Sequence, residues 1–119
     1  MEVERVDFVG FLTQDVKRAK RFYTEVLGLQ VEVEGEHDIE FTLGQVTLDV
    51  FDPSSIEQPF APSTAGFALR VADVDAARAE LEAKGVVFDG DTLETSVCKQ
   101  AWFKDPDGNV LMLHRRFDA

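Results

Sequence analysis

The sequence predicts an α+β chain folded as two tandem βαβββ modules, and three features of its 119 residues point there. Short apolar stretches alternate with the period of strands. Two longer stretches carry apolar residues at helical spacing, each opened by an aspartate and closed by a glycine. After a proline-bearing segment the whole pattern begins again.

Module one spans about residues 3–52. Residues 3–12, dense in Val and Phe, read as a strand. Val16, Ala19, Phe22, Tyr23, Val26 and Leu27 then form one stripe of a helix of about four turns. Asp15 is placed to cap its free N–H groups, and Gly28 to supply a left-handed stop. Three β segments follow at 30–34, 39–43 and 46–51, with Gly35 and Gly44-Gln45 at the turns. Residues 53–63 hold three of the four prolines and read as a crossover.

Module two spans about residues 64–116. A strand at 66–71 precedes Asp73, a second cap, and a helix carrying Val74, Ala77 and Leu81 that Gly85 ends. β segments are expected at 86–88, 96–103 and 110–114, with Asp107-Gly108 turning between the last two. The halves superpose at an offset of about 58 residues, Phe8 on Gly66 and Asp15 on Asp73, which suits a pseudo-twofold pair rather than a solenoid. One helix covers one face of each four-stranded sheet, so the other face is expected to close against a second sheet.

Composition narrows the function classes. With 45% hydrophobic and 29% charged residues the chain is globular, and no run approaches the roughly 18 apolar residues of a membrane span. The N-terminus has no basic stretch leading into an apolar one, so no signal peptide and a cytoplasmic location are expected. Twenty-three acids against 12 bases give a net charge of -11, which argues against nucleic acid and anionic membranes as partners. The acids read as scattered along the chain, a solvated surface that would favour a cationic ligand only if they converged. The single cysteine, Cys98, excludes an internal disulfide and a cysteine-built zinc cage, and reads as a structural thiol.

Three stretches carry a family resemblance. They are Val6–Val9 leading to Arg21-Phe22-Tyr23-Thr24-Glu25-Val26-Leu27-Gly28-Leu29, the run Phe67–Ala77, and Phe103-Lys104-Asp105-Pro106-Asp107-Gly108-Asn109. In this order and spacing they resemble the vicinal-oxygen-chelate (glyoxalase/bleomycin resistance protein/dioxygenase) superfamily, across nearly the whole chain. The last stretch has a structural role of its own, since Pro106 presets a turn while Asp107, Gly108 and Asn109 tolerate positive φ. The resemblance implies curved mixed sheets forming a cup, a homodimer, and in the family's enzymes a divalent metal held by four strand positions.

Carried over one at a time, those positions fall on Phe8, Asp49, Gly66 and Met112. Only Asp49 offers a hard donor, and a one-residue slip of register restores none of the others. No metal and no cofactor are therefore expected. His37 sits in a polar hairpin and reads as solvated. His114 shares the parity of Met112 and could pair with Asp49 as an acid–base couple, or lie at the surface of a strand end.

The expected lining of the cup is Phe8, Gly10, Asp49 and Phe51 from module one. Module two gives Gly66, Ala68, Arg70, Met112 and His114, with Cys98, Gln100 and Trp102 from the seventh strand of the chain. Such a mix of aromatic, apolar and few polar groups suits a small-molecule pocket, and equally the core between two sheets. Small residues at Gly10, Gly66 and Ala68 read as space. Two functions remain open. One is a metal-free protein sequestering an aromatic or cationic compound. The other is an enzyme of the family (lyase, isomerase or dioxygenase), either metal-dependent or using Asp49 and His114. A small interaction module is the third and blandest reading.

Overall fold

A computed structural model describes residues 1–118. The chain divides into two compact units, one from Met1 to Pro62 and one from Ser63 onward. Each contains a four-stranded mixed sheet, so the α+β duplication read from the sequence is the observed architecture.

In unit one, β1 (Phe8–Leu12) leads through Thr13 and Asp15 into α1 (Val16–Arg21). The Asp15 carboxylate accepts the Arg18 N–H at 3.0 Å, the expected N-cap. Four even α-turns were expected here. The second half is instead a π-helical segment, Phe22–Val26, in which Leu27 N–H reaches back five residues to the Phe22 carbonyl. The Thr24 hydroxyl donates to the Lys20 carbonyl at 2.6 Å, a side-chain bond that competes with the α-ladder at this turn. Gly28, at φ +72°, then releases the chain into β2 (Gln30–Glu34), β3 (Asp38–Leu43) and β4 (Val46–Phe51).

The strand order is β1-β4-β3-β2, with β1 parallel to β4 and the rest antiparallel. The register of β2 shifts between Val31 and Val33, a bulge on the edge strand. The helix face of the sheet presents Phe11, Ile39, Phe41, Leu48 and Val50, all buried, against Ala19 and Tyr23. Tyr23 and Phe41 pack with ring centroids 5.2 Å apart. Residues 3–7, expected as the start of the first strand, lie outside it and are exposed, because β4 begins only at Val46, after the Gly44-Gln45 turn, and pairing with β1 starts at Thr47.

Unit two repeats the plan with β5 (Phe67–Arg70), α2 (Val74–Ala83), β6 (Leu93–Glu94), β7 (Cys98–Lys104) and β8 (Val110–Arg116), in the order β5-β8-β7-β6. Asp73 caps α2 by accepting the Ala76 N–H, and Gly85 leaves it at φ +94°. The strand expected at 86–88 is absent. Val86 N–H still closes the helix end on the Leu81 carbonyl, and Phe88 makes only an isolated bridge to Phe103. The edge strand is instead the two-residue β6, after a loop that Arg78 ties down through Gly90 and Thr92.

The reversal before β8 differs in detail from the expectation. Of its residues only Gly108 takes positive φ, at +90°. Asp105 and Asn109 are buried hydrogen-bonding centres instead. Asp105 Oδ1 accepts the N–H groups of Asp107 and Asn109, its Oδ2 accepts Asn109 Nδ2, and Asn109 Oδ1 accepts the Ser63 N–H. The motif thus fastens the crossover to the last strand. No helix among the described residues is long and apolar enough to cross a membrane.

Candidate ligand-binding faces

Strand alternation gives each sheet a helix-covered face and an open one. In unit one the open face is a grid fixed by register. Gly10, Asp49 and Glu40 lie in one row, flanked by Phe8, Thr47 and Thr42 on one side and by Leu12, Phe51 and Asp38 on the other. Phe8, Gly10, Asp49 and Phe51, expected to line one surface, are therefore side by side. Gly10 forms the floor between two rings. A Cβ built there would sit 3.9 Å from Phe8 Cε2 and 4.0 Å from Phe51 Cε1, ordinary contact distances. Phe8 remains 53% exposed, unusual for a phenylalanine on a strand.

Asp49 is the electrostatic centre of this face. Burial, a hydrogen bond with Asp38, and repulsion from Asp38 and Glu40 push its carboxyl up to about 7. Its Oδ1 is fully buried and has no hydrogen-bond partner among the described residues. Oxygens of Asp38, Glu40 and Asp49 lie within 4.8 Å of one another. Glu32 joins them on the face by accepting the Thr47 hydroxyl at 2.9 Å. The acids of this sheet are thus not scattered, as the sequence had suggested. Asp38 and Glu40 were missed, although a two-residue Gly44-Gln45 turn already places Glu40 opposite Asp49. As a set, the three carboxylates are chemically able to take a hard cation or a basic nitrogen.

The open face of unit two has a different character. Ala68, Met112 and Trp102 form one row, and Arg70, His114 and Gln100 the next. Trp102 Nε1 donates to Gln100 Oε1 at 3.0 Å, and Cys98 is buried beside Gln100 and Thr95. The space expected beside Gly66 is not empty. A Cβ there would come within 2.9 Å of Trp102 Cζ3, and φ is +78°, so this glycine seats the indole ring. Gly66 contributes to the face by positioning Trp102. His37 is exposed, as read from its polar hairpin, and lies 3.9 Å from Glu36.

Two such units in one chain, each with a helix-backed sheet and an open face, define a class of small duplicated α+β proteins. The chain belongs to the glyoxalase/bleomycin resistance protein/dioxygenase superfamily, whose family model matches residues 5–113. The protein YaeR of Escherichia coli (strain K12), described as uncharacterized, is 31% identical over 96% of this chain and 98% of its own. The antibiotic-binding protein TnmS3 from Streptomyces sp. CB03234 is 31% identical, with 98% of each chain covered and a TM-score of 0.79. A lactoylglutathione lyase from Agrobacterium tumefaciens shares the fold at a TM-score of 0.81 and 19% identity, covering 96% of this chain and 95% of its own.

The metal of the family's enzymes can be tested against the residues present. Of the four positions that match its ligands, Phe8 and Gly66 carry no donor atom, and Met112 carries only a soft thioether. That site does not fit a divalent metal.

Proposed function

We propose that this protein binds and sequesters a small aromatic molecule without the family's metal, and that a flat ring bearing a basic nitrogen fits the open face of unit one. The observation that carries the reading is Asp49: an ionisable group held near neutrality by its neighbours, between the rings of Phe8 and Phe51. A cation placed there relieves the repulsion from Asp38 and Glu40 and meets aromatic faces that favour it. The 31% identity to an antibiotic-binding protein supports the same reading. A homodimer working in the cytoplasm completes it.

Calorimetry with 9-aminoacridine, a flat cation, tests the idea. Binding requires ionised Asp49, so affinity should rise from pH 6 to pH 8 and approach tenfold per unit below pH 7. Asp49→Asn should weaken binding at pH 8 and flatten the profile. Absence of binding at pH 8 would sink the proposal, as would a stoichiometric divalent metal held by Asp49 in the purified protein.

A second reading rests on the same carboxyl. A group titrating near 7 beside a hydrogen-bonding acid is poised as a general base, and an acid–base enzyme would use it to take a proton from carbon. Exchange of a substrate C–H proton with solvent, lost in Asp49→Asn, is its signature.

A further inference from the structure

The two open faces carry opposite signs. In a chain of 23 acids and 12 bases, no acid occupies an outward position of β5, β6, β7 or β8. Their charged outward residues are Arg70, Lys104 and Arg116, with His114 between Arg70 and Gln100. Unit one shows the reverse, with four carboxylates and no base on its open face. Lys99 confirms the sorting: it lies on the helix side of β7, where Asp75 at 2.7 Å and Glu94 at 3.4 Å neutralise it. Arg70 and Arg116 have no such partner among the described residues.

We propose that the open face of unit two is an anion-reading face that takes the oxyanion of an aromatic acid. Arg70 and His114 hold the oxyanion and Trp102 supports the ring. The inference rests on the reading above, that these sheet faces bind aromatic molecules. Arg70 supplies the planar fork that matches a carboxylate, and His114 offers a ring N–H in either protonation state. Trp102 is ready for stacking before any ligand arrives, because Gln100 holds its indole N–H and Gly66 accommodates its six-membered ring. Apolar Ala68 and Met112 complete the row beside it. An arginine fork on the same sheet face as a fixed aromatic plane, with β8 between them, offers a pair of contacts that a neutral ring or a bare anion uses only in part.

Two measurements on the full chain test this. Trp102 is the only tryptophan, so fluorescence quenching samples this face alone. Normalised to free N-acetyltryptophanamide, iodide should quench about twofold more efficiently than caesium despite the net charge of -11, and Arg70→Gln should bring the normalised ratio towards one. In calorimetry, 1-naphthoate should bind about tenfold more tightly than 1-naphthamide. Arg70→Gln should remove most of that margin by weakening the acid far more than the amide. Caesium quenching as well as iodide, or equal affinities for the acid and the amide, overturns the proposal and leaves aromatic binding standing. Failure of both naphthalenes and of 9-aminoacridine to bind overturns both readings. Inorganic phosphate binding as tightly as 1-naphthoate overturns the aromatic part.

Discussion

At the scale of single residues, Asp49 and Gly66 behave differently from what their positions alone implied. A carboxyl raised from 3.8 to about 7 holds its proton more tightly in the folded chain than in the unfolded one. Its contribution to stability is therefore full below pH 4 and is lost as pH rises through 7. Asp49→Asn should raise the melting temperature by roughly 2–4 °C at pH 8 and by less than half of that at pH 5, the partial exposure of the site keeping the effect small. Thermal denaturation at the two pH values checks it. For Gly66→Ala, the 2.9 Å contact with Trp102 and the φ of +78° add up. A loss of about 2 kcal/mol, with a red-shifted Trp102 emission, is expected by chemical denaturation. Gly10→Ala meets only ordinary contacts and should cost less than about 1 kcal/mol while narrowing the floor between Phe8 and Phe51.

At the scale of elements, the structure separates what is written locally from what is not. Both helix starts and stops were legible, because an aspartate cap and a positive-φ glycine each act on backbone only a few residues away. The strand at 86–88 was misread because Val86, Val87 and Phe88 have strand chemistry yet follow directly on a helix end that claims the Val86 N–H. The π-helical segment escaped notice because its apolar stripe is the same as that of an α-turn. The buried Asp105 turn carries more of unit two than its surface-like sequence suggests. Asp105→Ala strands the N–H groups of Asp107 and Asn109 and should cost about 3 kcal/mol in urea denaturation, whereas Asp107→Ala should cost under about 1.

At the scale of the whole molecule, a net charge of -11 conceals a segregation that only sheet register reveals. The duplication and the family were readable from three motifs and an internal offset. The sign of each face was not. Glu40 is nine residues from Asp49 and Asp38 farther still, and Arg70 and His114 meet only because β5 pairs in parallel with β8. A candidate site assembled across strands is recorded in pairing, which composition does not describe. Phe8, Gly10, Asp49 and Phe51 share a face of one sheet and the module-two candidates a face of the other, while the acids on β3 are neighbours that the one-residue-at-a-time comparison with metal sites passed over.

The bulge in β2 has a colloidal consequence. This edge strand, QVEVE, is exposed throughout, with Val31 and Val33 at 38% and 51% accessibility, and its backbone edge is a template for pairing with another chain. The irregular register breaks the flatness such pairing needs, and the interleaved Glu32 and Glu34 repel a second copy as long as they stay ionised. Acidification removes the second safeguard but not the first. Light scattering should therefore peak near pH 4.4, where the net charge vanishes, and Glu32→Gln with Glu34→Gln should extend the turbid range upward. Shelf life in mildly acidic buffer is thus governed by five residues at the margin of one sheet, one of which, Glu32, also belongs to its open face.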